Sequence, residues 1–258
     1  MHDRKNTGTI EPGMFVKPGV AEYLALCGDI GYPERPALRT FLAWCSKNWK
    51  TVFYIAGNHE YYNHAFSNQS TMEEKESMLE AICSEFPNVH FLQKKSVFLS
   101  EYNLRICGTT LWSHIPEEMY FKVLLGRNDY RKILHSSDEE EICNLTPTII
   151  EKIHIEQKIW LEKEIDLAWQ AKERVLVLTH HLPTYKLVHE KYEGHSLNCG
   201  FASHLDYLLR EPVKAWICGH SHTGQRLEIN GLVCALNPVG YPGESVPTKD
   251  REAIIEIN

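Results

Sequence analysis

The nine residues KAWICGHSH, 214 to 222, run from an apolar stretch into a glycine and two imidazoles separated by one serine. With the preceding valine, the stretch VKAWIC reads as a buried strand, because a β-branched and aromatic run stops abruptly at Gly219. His220 and His222 then fall on a loop anchored by a rigid strand, where side chains are placed for chemistry more often than for packing. The chain has 14 histidines, so a close pair also arises by chance, and the behaviour of the other strand ends decides its meaning.

They end in the same way. YLALC (23–27) runs into Gly28-Asp29, TVFYIA (51–56) into Gly57-Asn58-His59-Glu60, and RVLVLT (174–179) into His180-His181. Each end delivers a carboxylate, a carboxamide oxygen or an imidazole. This oxygen and nitrogen set suits Mn²⁺, Fe or Zn²⁺ and differs from a thiolate structural site. The glycines let the backbone turn sharply and pass close to other groups. Singly, each piece has an ordinary reading: Gly28-Asp29 as a turn, Asn58 as a turn residue, His180-His181 as half core and half surface. Four apolar runs ending in one kind of donor point to a metal centre.

In chain order, GD, GNHE, a histidine at a strand end and GHSH resemble the calcineurin-like metallophosphoesterases, and the resemblance covers nearly the whole chain. It implies an α/β fold, a four-layer sandwich of two packed mixed sheets flanked by helices, with two divalent metal ions on loops at the strand ends. By that resemblance Asp29 bridges both ions, Asn58, His180 and His220 complete one, and His222 serves the other. His59 faces the phosphate as general acid or transition-state stabiliser, near its ordinary pKa of about 6.5. His181 is the substitute ligand if the register at 180 is off by one, and Glu60 either orients a neighbour or lies on the surface. NDY (128–130) and NPVGYPGE (237–244) also resemble segments of uncharacterised cytosolic phosphoesterases, with ordinary loops as the other reading.

Family members usually begin with a strand ending in Asp-x-His, which gives the second ion two ligands. No such strand precedes Gly28-Asp29 here, and His2 and Asp3 stand in reversed order in a polar stretch. The expectation is therefore a fold without its first strand, with Met1 matching an internal position of a longer relative and the second metal site impaired. Two functions are open. One is a metal-dependent phosphoester hydrolase, a phosphodiesterase or broad phosphatase acting on a small phosphate ester through metal-activated water. The other is a metal-binding scaffold with little or no turnover.

Composition fits either. At 258 residues the chain reads as one domain, 1–258, and its 43% hydrophobic content supports an ordinary core. No apolar run approaches the roughly 18 residues of a membrane helix, and the polar start lacks a secretory signal, so a soluble cytoplasmic protein is expected. Eight cysteines without a CxxC pair suit a reducing compartment. A net charge of −7 disfavours nucleic acid as a partner. Further strands are expected at 89–93, 96–100, 104–112, 226–229, 232–236 and 252–257, with an Asn230-Gly231 hairpin. Helices are expected in RPALRTFLAWCSKNW, in TMEEKESMLEAICSEF behind a Thr71/Glu74 capping box, and in TIIEKIHIEQKIWLEKEIDLAWQAKE behind Thr148/Glu151. Residues 113–147, with an acidic run at 139–141, read as a solvated surface insertion.

Overall fold

In the strand Tyr23–Cys27 (β1), Leu24 and Leu26 face one side while Tyr23, Ala25 and Cys27 face the other. Alternation of this kind lets one strand feed two separate packing layers, and here it organises the molecule. The computed structural model describes residues 12–64, 69–136, 141–241, 243, 244, 246, 250 and 252–257. β1 pairs in parallel with Thr51–Ile55 (β2), and β2 with Val89–Phe91 (β3). Phe53 and Ile55 of β2 point to the same layer as Ala25, whereas Val52 and Tyr54 point to the opposite one.

A second sheet has six strands: Lys95–Leu99 (β4), Leu104–Thr109 (β5), Arg174–Thr179 (β8), Val213–Cys218 (β9), Gln225–Ile229 (β10) and Leu232–Leu236 (β11). Their order is β10-β11-β9-β8-β5-β4, parallel through the middle and antiparallel at both edges. Leu176, Leu178 and Ala215 pack against Phe53 and Ile55 of the first sheet, forming the layer between the sheets. Val175, Val177 and Trp216 face the other way, onto Leu161, Ile165 and Ala168 of the helix Pro147–Ala171 (α5). The outer face of the first sheet is covered by the helices Pro36–Asn48 (α1) and Met72–Ser84 (α2). Helix, sheet, sheet, helix is the four-layer arrangement expected, although among the described residues the first sheet is wholly parallel and only the second is mixed.

Local chemistry explains the element ends. Thr71 Oγ1 accepts from Glu74 N at 3.3 Å while Glu74 Oε2 accepts from Thr71 N at 2.8 Å, the reciprocal box that starts α2. Asn230 and Gly231 both have positive φ, 53° and 80°, which matches the twist of the β10–β11 hairpin.

Four expectations need correction. α5 starts ahead of Thr148: Thr146 caps it by accepting from Ile149 N, and Pro147 supplies a preset φ in the first turn. Glu151 is thereby released to accept from Ile115 N and to pair with His114. Residues 252–257 form no strand; Arg226 and Arg174 donate to the Ile254 and Ile257 carbonyls in place of a ladder, while Ile255 and Ile257 still pack between the sheets. The strand expected at 104–112 stops at Thr109, because Leu111 turns to φ 49°. The 113–147 segment is not simply a solvated insertion. It contains the helices Tyr120–Gly126 (α3) and Asp129–Lys132 (α4) and the hairpin Leu134–Ser136 (β6) with Ile142–Asn144 (β7). Ile115, Val123, Tyr130, Ile133 and Leu145 are buried in the cluster beneath α1 and α2. Of the acidic run, Glu141 is exposed; Glu139, Glu140, and likewise His2 and Asp3, lie outside the described residues.

Candidate metal centre

β1, β2, β8 and β9 run in one direction within their sheets, so their carboxyl ends meet along one edge of the sandwich, where sites in α/β folds are usually built. The loops are held tightly together. A Cβ on Gly57 would stand 2.6 Å from both Asp29 N and His180 Cε1, so no side chain fits there. Asp29 and His220 sit in the left-handed region at φ 58° and 62°. For residues other than glycine that is strain of the kind that persists where surrounding structure enforces it, commonly at sites.

The enforcing group for Asp29 is Glu60. This fully buried carboxylate accepts from the backbone N–H of Asp29 (2.8 Å), Ile30 (2.6 Å), Gly31 (3.1 Å) and Gly57 (2.7 Å), and from the Tyr54 hydroxyl (3.0 Å). It ties the two sequence motifs GD and GNHE into one unit. Of the two roles open for Glu60 from sequence, orientation of its neighbours is the one its surroundings match.

Four donors converge at this edge. His180 Nε2 lies 3.4 Å from Asp29 Oδ1, 3.1 Å from Asn58 Oδ1 and 3.1 Å from His220 Nδ1. Asp29, His180 and His220 each offer a ligand atom within 4.8 Å of the others. Hydrogen bonds behind the donors fix which atoms face inward. His180 Nδ1 donates to the Cys27 carbonyl at 2.8 Å, leaving Nε2 as the lone-pair nitrogen. Asn58 Nδ2 donates to Asp129 Oδ1 at 2.7 Å and to the Tyr62 hydroxyl at 3.2 Å, so the amide oxygen points at the centre. Three lone-pair atoms, from Asp29, Asn58 and His180, thus face one another. This donor chemistry fits a divalent cation.

Burial holds His220 and His181 well below the usual imidazole range, with neighbouring imidazoles and Arg127 pushing the same way, so both rings are neutral at neutral pH. Arg127 Nη2 lies 2.9 Å from His220 Nε2, its guanidinium stacks over Phe201, and its Nε donates to Asp129 Oδ2 at 3.1 Å. For Asp129, burial alone would raise the carboxyl, but the Arg127 charge and the bonds from Asn58, Tyr62 and Arg127 outweigh it and hold the group below its usual range. His181 lies behind the centre, its ring 5.0 Å from that of Trp112 and its Nδ1 3.4 Å from the Thr110 carbonyl.

The remaining two motif residues lie elsewhere on the rim. His59 stacks on Tyr62 with ring centroids 4.3 Å apart, and its Nε2 is 4.0 Å from Asp29 Oδ2 and 3.2 Å from the Tyr241 hydroxyl. Burial lowers its pKa despite the opposing pull of Asp29, which corrects the ordinary value expected for it. His222 is not brought into the Asp29, His180 and His220 group; its Nδ1 pairs with Glu244 Oε2 at 2.7 Å and its ring meets Tyr241 edge-on.

A family model described as calcineurin-like phosphoesterase matches residues 13–224. The chain belongs to the calcineurin-like phosphoesterase family. An uncharacterised protein of Acanthamoeba polyphaga mimivirus is 29% identical over 234 residues, covering 88% of this chain and 81% of that protein. Among solved structures, the phosphopantetheinyl hydrolase of Mycobacterium tuberculosis aligns with a TM-score of 0.63 at 17% identity, over 86% of this chain and 80% of its own. A dimetal phosphatase from Danio rerio aligns with a TM-score of 0.50 at 16% identity, over 83% and 71%. At those identities the two structures speak for the fold, and the chain has the sandwich that places its four strand ends together.

Sequence reasoning did not find Arg127, nor a role for Asp129, Tyr62 and Tyr241. Asp129 and Tyr241 fall within NDY and NPVGYPGE, which carried a resemblance but no chemistry. Arg127, next to NDY, gave no signal, because an arginine in a loop is ordinarily solvated.

Proposed function

We propose that this calcineurin-like phosphoesterase is a metal-dependent phosphoester hydrolase acting on a small phosphate ester, with Asp29, Asn58, His180 and His220 holding one divalent ion. The observation that carries the proposal is the convergence of Asp29, Asn58 and His220 on His180 Nε2, each of the four with its other polar atom committed elsewhere or its backbone clamped. An ion held there would supply activation of a water and offset the negative charge of a phosphate ester; Mn²⁺, Fe and Zn²⁺ all suit the donors.

The protein's own residues supply the rest. His220 Nε2 accepts from Arg127, so its proton resides on Nδ1 and is donated to His180 Nε2. Ligation through Nδ1 requires the other imidazole tautomer, with the proton on Nε2 and Arg127 turned away from it. His59, neutral by burial, gains proton affinity when an anionic ester lies beside it and then delivers a proton to the leaving oxygen. In the structure His59 Nε2 lies 3.2 Å from the Tyr241 hydroxyl. By the family resemblance Asp29 and His222 would hold a second ion, more weakly. His222, with Nδ1 engaged by Glu244, presents Nε2 for it. A phosphodiesterase or broad phosphatase fits better than a nuclease, given the net charge of −7. Eight free cysteines, mostly buried, support a cytoplasmic setting.

The scaffold reading is favoured by one observation, the separation of His222 from the group formed by Asp29, His180 and His220. Chelator-stripped protein is titrated with Mn²⁺ and assayed on bis-p-nitrophenyl phosphate and p-nitrophenyl phosphate. Mn²⁺ uptake with turnover that His59→Ala lowers by about 10²-fold to 10⁴-fold, at unchanged uptake, supports the hydrolase. Uptake without turnover on either ester supports the scaffold, and no uptake removes both.

A further inference from the structure

The 113–147 segment delivers one carboxylate to the centre. Asp129, at the start of α4, is buried, and its Oδ1 accepts from Asn58 Nδ2 at 2.7 Å and from the Tyr62 hydroxyl at 2.7 Å. Its other oxygen accepts from Arg127 Nε at 3.1 Å. The two ends of a carboxamide are almost the same size and opposite in function: one is a pair of donors, the other an acceptor. Nothing in the shape of Asn58 prevents its amide from turning the donor end toward the centre, where it would repel a cation. An ionised carboxylate only accepts, so it selects the NH₂ end and sends the oxygen the other way. Arg127 occupies the second oxygen and stacks over Phe201, so the carboxylate is itself fixed in place.

We propose that Asp129 is a positioning residue of the cation site, acting by holding the Asn58 carboxamide with its oxygen toward Asp29, His180 and His220. The inference rests on the metal-binding function proposed above and extends it to a residue that touches none of the ion's ligands except Asn58. Its rival is simpler: Asp129 is the counter-ion of the largely covered Arg127 and serves only to neutralise that charge. The two differ in what happens once Asn58 is gone. A positioning residue has nothing left to position, whereas a counter-ion is still needed.

The test is a double-mutant cycle on the full chain, with Mn²⁺ affinity measured by the electron paramagnetic resonance of free Mn²⁺ and folding checked by circular dichroism. Asp129→Ala is expected to weaken Mn²⁺ binding by about 10-fold to 100-fold, the usual effect of losing a partner behind a metal ligand. Asn58→Ala is expected to weaken it at least as much, and the double variant no further. Asp129→Asn, which keeps the shape but can present either end of its own amide to Asn58, is expected to weaken binding in the same direction and serves if the alanine variant does not fold. Asp129 variants that bind Mn²⁺ within threefold of the parent, while Asn58→Ala does not, overturn this proposal alone. So does a double variant that loses a further tenfold. An Asn58→Ala protein with unchanged affinity overturns the metal assignment and this proposal with it.

Discussion

Removing the Glu60 carboxylate tests whether the two motif loops are held by one buried anion. Five donors point at it, four of them backbone N–H groups. In Glu60→Ala the Asp29 and Ile30 N–H groups belong to partly exposed residues that water can reach. The N–H groups of Gly31 and Gly57 are in buried surroundings and have no such recourse. An unsatisfied buried donor costs about 1–3 kcal/mol, so these two alone put the loss near ~4 kcal/mol, the relief of no longer burying a charge being offset by the loss of charge-assisted bonds. Glu60→Gln keeps one acceptor oxygen but turns an NH₂ toward N–H donors, and about 2 kcal/mol is expected. Urea denaturation at pH 7.5 measures both. Mn²⁺ affinity should fall in parallel, because Asp29 at φ 58° has lost the group that holds it there. If both variants unfold within about 1 kcal/mol of the parent, Glu60 is not the clamp described and the left-handed turn has another cause.

Two further outcomes are expected from the packing. Gly57 lies outside the left-handed region, so Gly57→Ala acts by crowding alone, against Asp29 N and His180 Cε1. A loss of about 3 kcal/mol or more with abolished Mn²⁺ binding is expected, and a variant of parental stability would show that the loops separate easily. His154, buried in α5 with Nδ1 donating to the Trp112 carbonyl, has its pKa pushed down to about 4 by burial. The unfolded chain therefore binds a proton near pH 6.5 that the folded chain refuses until about pH 4. The stability tied to that ring is complete above pH 6.5 and is lost as the pH falls toward 4. Between pH 7.5 and pH 5 the parent should lose about 2 kcal/mol more than His154→Gln. Equal losses in urea denaturation at the two pH values would show that His154 is protonated when folded.

Most of the fold was legible because the strands announce themselves twice, by their apolar runs and by the glycines and polar donors at their ends. The Thr71/Glu74 box and the Asn230-Gly231 turn are local devices, and local devices can be read from a few residues. Thr148 matches the same local pattern yet is not a cap, because Thr146 and Pro147 start the helix before it, and the strand expected at 252–257 fails because its carbonyls meet arginine side chains from distant strands. The 113–147 segment departs from its expected character for a related reason. Its acidic, weakly periodic sequence describes its solvent face, while buried Asp129 and the largely covered Arg127 form a pair that cancels its own charge.

By itself the sequence determined which residue types stand at which strand ends, since GD, GNHE and GHSH are short covalent facts independent of folding. Only the tertiary structure decided which atoms of those residues face one another. That depends on partners far away in the chain: Glu60 for the turn at Asp29, the Cys27 carbonyl for the tautomer of His180, Asp129 for the orientation of Asn58, and Glu244 for the place of His222. A hydrogen bond fixes an orientation only when both ends are in place, and pairs separated by tens of residues are brought together by sheet packing that no local pattern encodes.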